Sequence, residues 1–118
     1  MGKLSTHILD IAKGRPAQGI PITVERQEPD GSVRLLNAVV SNADGRCDVP
    51  LLADAEWTPG VYALHFRVGA YLAQHHAGLG EPGFLDHITL RFGLADGGQS
   101  YHVPLLLSPY GYSTYRGS

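Results

Sequence analysis

Hydrophobic and polar residues alternate along most of this chain, the two-residue period of strands that bury one face. Leu4, Thr6 and Ile8 fall on one face of a first strand, with Ser5, His7 and Leu9 on the other. Gly14 to Gly19, with Pro16 inside it, reads as a turn. Ile20, Ile22 and Val24 line a second strand that ends at Pro29-Asp30-Gly31, a strong turn signal. A third strand covers Val33 to Val40. The turn Asn42-Ala43-Asp44-Gly45 follows, and then a short strand around Cys47 to Val49. Pro59-Gly60 opens the most regular strand, with Tyr62, Leu64, Phe66 and Val68 inward. Beyond Gly69, residues Ala70 to Ala77 suit two turns of helix that Gly78 stops. Phe84 to Phe92, Tyr101 to Leu107 and Tyr112 to Arg116 complete the strands. Turns at Asp96-Gly97-Gly98 and Ser108-Pro109-Tyr110-Gly111 separate them. Seven to eight short strands and one short helix predict an all-β chain folded as an antiparallel β-sandwich.

Length makes that sandwich a single domain, residues 1–118, because 118 residues supply one core and no more. The 15 glycines and 8 prolines fit a turn-rich β fold and disfavour a helical bundle. A formal charge of −2 removes the usual electrostatic reason to expect a nucleic acid or an anionic membrane as partner. Cys47 is the only cysteine, so neither an internal disulfide nor a cysteine-based zinc site is expected. No apolar run approaches the length of a membrane helix and no signal segment opens the chain. A soluble, cytoplasmic domain is the expectation.

Candidate chemistry lies on strand faces turned away from the predicted core. His7 is out of phase with Leu4, Thr6 and Ile8. His102 is out of phase with Tyr101, Val103, Leu105 and Leu107. Tyr115 shares its outer side with Ser113. The same outer surface carries Leu9, Pro104 and Leu106, and apolar groups ringed by hydrogen-bonding ones suggest a face that another subunit covers. Arg46 follows the Asp44-Gly45 turn. His75-His76 looks like a metal pair, but adjacent positions on a helix do not face one ligand. His65 and His87 stand alone in the sequence. Neither a nucleophile elbow nor a Ser-His-Asp order is present.

Leu4-Ser5-Thr6-His7-Ile8-Leu9-Asp10, with Gly14-Arg15-Pro16-Ala17, resembles the opening of the transthyretin-like family. The closing run from Tyr101-His102-Val103-Pro104-Leu105-Leu106-Leu107-Ser108-Pro109-Tyr110-Gly111 to Tyr112-Ser113-Thr114-Tyr115-Arg116-Gly117-Ser118 resembles its signature. Its hormone-carrier branch has lysine, glutamate and threonine where this chain has His7, Arg46 and Tyr115. The chain is similar at all three to the enzyme branch, the 5-hydroxyisourate hydrolases. That resemblance implies hydrolysis of the cyclic amide of 5-hydroxyisourate in urate catabolism, with no metal and no organic cofactor. It implies a catalytic set of His7, Arg46 and His102. It also implies a substrate pocket of His7, Arg46, Tyr115 and Ser118, and on the same face the residues Leu106 and Ser113 join it. A homotetramer, a dimer of dimers with sites between the dimers, is the implied assembly. The competing reading is a non-enzymatic carrier of an aromatic hormone or metabolite. Many relatives have histidine where this chain has Ser100, so a His-x-His metal site is not expected. Which of the two histidines is the base stays open.

Overall fold

The computed structural model describes residues 2–96 and 98–117. Among the described residues, eleven strands and one α-helix follow one another as β1 (Lys3–Ser5), β2 (Ile8–Asp10), β3 (Arg15–Pro16), β4 (Pro21–Gln27), β5 (Val33–Val40), β6 (Leu52–Ala53), β7 (Gly60–Arg67), α1 (Gly69–His75), β8 (His87–Leu94), β9 (Tyr101–His102), β10 (Leu105–Ser108) and β11 (Gly111–Thr114), with a single 3-10 turn at Asp54–Glu56 between β6 and β7. One layer is the antiparallel sheet β5-β4-β7-β8. The facing layer is built from the orders β6-β1-β9 and β11-β10-β2-β3, the chain passing directly from β1 to β2 and from β9 to β10.

The core sits between these layers. Ile22 and Val24 of β4, Tyr62, Leu64 and Phe66 of β7 and Ile88 of β8 meet Leu4, Ile8, Leu105 and Leu107 from the other side, all buried. Trp57 closes one end, its ring 5.0 Å from that of Tyr62 and 5.5 Å from that of Tyr101. Its indole N–H donates to the Gln99 carbonyl at 2.7 Å, so the large ring is buried with its polar atom satisfied. The other end is closed by α1, whose Tyr71 hydroxyl donates to Oδ2 of the fully buried Asp10 at 2.8 Å.

Several boundaries differ from the sequence expectation, each for a backbone reason. The first strand is two, because Thr6 and His7 leave the ladder. The expected strand from Tyr101 to Leu107 also breaks in two, at Val103-Pro104, where proline has no N–H to give. The two breaks lie side by side. Val103 N–H donates to Ser5 O and Leu105 N–H to His7 O, both at 2.9 Å, and the Thr6 hydroxyl donates to the Val103 carbonyl at 2.7 Å. The pairs β1–β9 and β2–β10 are parallel, so antiparallel order is strict only in the other layer. Pro104 is buried, not on the outer surface. Arg15–Pro16 pairs with Leu9–Asp10 as an edge strand, a place that tolerates proline.

No strand forms at Cys47 to Val49. Asn42 binds that segment into a loop, and pairing resumes at Leu52 against Leu4. The strand expected from Phe84 starts only at His87, because the Asp86 carbonyl accepts from Val68 and Gly69 N–H at 3.0 Å each, at the start of α1. The last strand ends at Thr114.

Candidate active site

The paired breaks put chemistry on the outside of the sandwich. Leu4, Thr6 and Ile8 all point into the core, which turns Ser5 and His7 outward. Parallel pairing registers Ser5 with His102, so His102 faces outward beside them. The two imidazole rings lie 6.4 Å apart between centroids, inclined at 38°. Ser5 Oγ and His102 Nδ1 form a hydrogen bond of 3.0 Å, which orients that ring and leaves its Nε2 unengaged by it. Nothing in the sequence pattern signals this contact, since it joins strands 97 residues apart.

Arg46 reaches the same place by a different route. The Asn42 side-chain oxygen accepts from the N–H groups of Asp44 and Arg46 at 2.9 and 3.1 Å, and Asn42 Nδ2 donates to Asp48 at 3.0 Å. Asn42 N–H donates to the Arg46 carbonyl at 2.8 Å. This closed loop is pinned to β2 where Ile8 N–H donates to Gly45 O at 2.8 Å. Gly45 has φ +73°, and a Cβ there would lie 2.3 Å from Ile8 O and 3.2 Å from Cδ2 of His7. Only glycine fits. The Asn-x-Asp-Gly turn was visible in the sequence, but its docking against His7 was not.

Arg46 is exposed and lines two adjoining recesses. One, of about 280 Å³, includes Lys3, Ser5, Thr6 and Asp48. The other, of about 370 Å³, includes Lys3, Ser5, Ser100 and His102. Electrostatics tie the three residues together. Burial, and then the Arg46 guanidinium, hold His7 below the usual imidazole range, against an opposing pull from the main chain and carboxylate of Asp44. His102 is lowered by burial, by Arg46 and by His7, in that order. Both imidazoles are therefore neutral at neutral pH, the state of a proton acceptor.

The other predicted residues are placed differently. Leu106 and Ser113 are cross-strand partners on β10 and β11, Leu106 half-buried and Ser113 exposed. Tyr115 lies past the end of β11 and lines a separate cavity of about 520 Å³ with Tyr112, Thr114 and β8 residues; it does not line the Arg46 recesses. Ser118 lies outside the described residues. Its neighbour Gly117 donates its N–H to His102 O at 2.6 Å, and its own carbonyl accepts from His102 N–H at 3.4 Å.

Of the remaining histidines, His75 stacks on Tyr71 at 4.3 Å while His76 Nε2 bonds Asp10 at 2.8 Å, so the adjacent pair does diverge. His65 and His87, far apart in sequence, are hydrogen-bonded to each other at 3.0 Å on the opposite layer.

Similarity to known proteins agrees with this arrangement. The HIUase/Transthyretin family matches residues 4–117. The chain is 55% identical over 118 residues to a 5-hydroxyisourate hydrolase of Mesorhizobium japonicum, covering 99% of this chain and 93% of that one. Among solved structures, that of Klebsiella pneumoniae 5-hydroxyisourate hydrolase superimposes with a TM-score of 0.79 at 33% identity, covering 100% of this chain and 94% of that one. Sea bream transthyretin in complex with thyroxine gives a TM-score of 0.86 at 28% identity, covering 98% and 94%.

Proposed function

The chain belongs to the HIUase/Transthyretin family, and on that premise we propose that it hydrolyses 5-hydroxyisourate. The observation that carries the proposal is the convergence of two neutral imidazoles with one guanidinium. Hydrolysis of a cyclic amide adds water across a C–N bond: hydroxyl goes to the carbonyl carbon and a proton to the ring nitrogen. One imidazole removes the proton from water, Arg46 stabilises the oxyanion of the tetrahedral intermediate, and the resulting imidazolium protonates the departing nitrogen. The ring opens to 2-oxo-4-hydroxy-4-carboxy-5-ureidoimidazoline. These side chains fill every role, so the proposed reaction is metal-independent.

The His102 bond to Ser5 favours His102 as the base. With Nδ1–H donated to the serine oxygen, its Nε2 lone pair is free for water, while His7 orients the substrate beside Arg46. Leu106 and Ser113 form the adjoining wall, and Tyr115 and Ser118 complete the pocket in the assembled protein.

That assembly is a cytoplasmic homotetramer in this reading. The recesses beside Arg46 are shallow and open on a single chain, and facing copies would enclose them and exclude water. Fold likeness does not separate hydrolase from hormone carrier, since the transthyretin superimposes at least as well as the hydrolase. The imidazole pair does, because a carrier has no need of it. The deciding experiment adds the protein to 5-hydroxyisourate freshly generated by urate oxidase and follows its ultraviolet decay. Acceleration is expected. Tight binding of aromatic ligands with unchanged decay would favour the carrier.

A further inference from the structure

We propose that the outer face of the β5-β4-β7-β8 sheet carries a divalent transition-metal site, built by His65 and His87 and oriented by Glu25. It lies on the opposite face of the sandwich from Arg46. In β4, β7 and β8 the residues Ile22, Val24, Leu64, Phe66, Ile88 and Leu90 point into the core, which sends Glu25, His65, His87 and Thr89 outward. Thr89 stands opposite His65 in register, and Glu25 and His87 are its diagonal neighbours on either side. The result is a row of polar groups across three strands.

The row has a fixed order of donors. Glu25 Oε1 lies 2.6 Å from His65 Nε2, and the neutral tautomer that suits a metal is the one in which Nε2–H donates to that carboxylate. The Nδ1 lone pair of His65 then points outward, 3.0 Å from Nε2 of His87 and 3.0 Å from the Thr89 hydroxyl. A carboxylate holding the far nitrogen of an imidazole is how metal-bound histidines are oriented and made more basic. In that tautomer the His65–His87 hydrogen bond has His87 Nε2–H as its donor. A shift of the His87 proton to Nδ1 turns two lone pairs toward one point, with no net proton change.

The spacing fits one ion. Two metal–nitrogen bonds of ~2.0–2.1 Å at a tetrahedral angle put their nitrogens about 3.3 Å apart, close to the 3.0 Å separation seen, with both rings turning their lone pairs toward the ion. Among the described residues no three His, Cys, Asp and Glu side chains are grouped to hold a metal ion. The site is therefore an open one, with two nitrogens, the Thr89 hydroxyl in reach and water completing it. Arg67, opposite His87 in register, disfavours a cation, and the Glu25 carboxylate offsets it. Borderline ions that accept imidazole, Zn²⁺ and Cu²⁺, are the class it would take.

The test titrates untagged, metal-free protein with Zn²⁺ against a competing chelator. A second readout is the electron paramagnetic resonance spectrum with Cu²⁺. One ion per chain is expected, with nitrogen coupling in the copper spectrum. Affinity should fall at least tenfold in His87→Ala and in His65→Ala, fall less in Glu25→Gln, and stay unchanged in His102→Asn. His87 is exposed, so its variant tests the site even where His65→Ala disturbs the sheet. Absence of binding, binding insensitive to His87→Ala, or an equal loss in His102→Asn would overturn the proposal.

Discussion

In the β5-β4-β7-β8 sheet each neighbouring pair is antiparallel over six to eight registered residues, whereas no strand of the facing layer exceeds four residues and two of its pairs are parallel. The long ladders supply many of the largest buried side chains. The broken layer supplies His7 and His102, at and beside its interruptions, and the loop pinned to β2 supplies Arg46. Where the chain leaves the ladder at Thr6-His7 and Val103-Pro104, side chains gain directions that a continuous pleat would not give them. Stability and chemistry are therefore separable by mutation.

The largest effect separates them from the stability side. Phe66 on β7 is fully buried, and Phe66→Ala leaves a cavity that the regular sheet cannot fill. A loss of about 3–5 kcal/mol is expected in denaturant unfolding, with per-molecule turnover retained while the protein stays folded. Arg46→Ala should do the reverse. Turnover of 5-hydroxyisourate should fall about a hundredfold, ~2.7 kcal/mol of transition-state stabilisation, as for loss of one oxyanion donor. The unfolding midpoint should hold, because Arg46 is exposed. A parallel fall in both quantities would mean that the two layers are not independent.

Gly45→Ala tests the junction. A side chain at φ +73° with its Cβ 2.3 Å from Ile8 O forces the loop off β2. A stability loss of about 1–2 kcal/mol is expected from the backbone strain. Turnover should fall about tenfold beyond that, since Arg46 moves with the loop. Retention of turnover despite the lower stability would detach the loop position from catalysis.

The same contrast explains what could be read from the sequence. Alternation from Tyr62 to Val68 located β7 almost to the residue, because a half-buried strand leaves a period, whereas the turn signals on either side of Val33 to Val40 delimited the mostly exposed β5. The outward phase of His7 and His102 was legible for the same reason. The breaks were not, since Thr6 keeps the alternation while its hydroxyl replaces a ladder bond, and Pro104 marks a stop without saying which strand lies beside it. Ser5, Asn42 and Gly117 act through partners set by tertiary pairing, and the His65–His87 contact depends on the β7–β8 register.

The smallest effect concerns how His102 is held. Ser5→Ala removes one hydrogen bond to Nδ1, worth ~1 kcal/mol, so kcat should drop about fivefold with KM little changed. Ser5→Thr keeps a hydroxyl at that place and should restore most of it, an outcome that lost packing alone would not produce. The pH profile then tells an orienting role from an electrostatic one. A neutral imidazole is the active form, so activity is present above the pKa of the folded enzyme and is lost as acid protonates the ring. Burial and Arg46 hold both histidines below the usual imidazole range, which sets the acid limb at lower pH than a free imidazole would give. Ser5→Ala takes away no charge and should leave that limb in place. Arg46→Gln removes the cation that disfavours imidazolium, so its residual activity should show the limb moved to higher pH. A limb that shifts in the serine variant and stays fixed in the arginine variant would reverse the two roles.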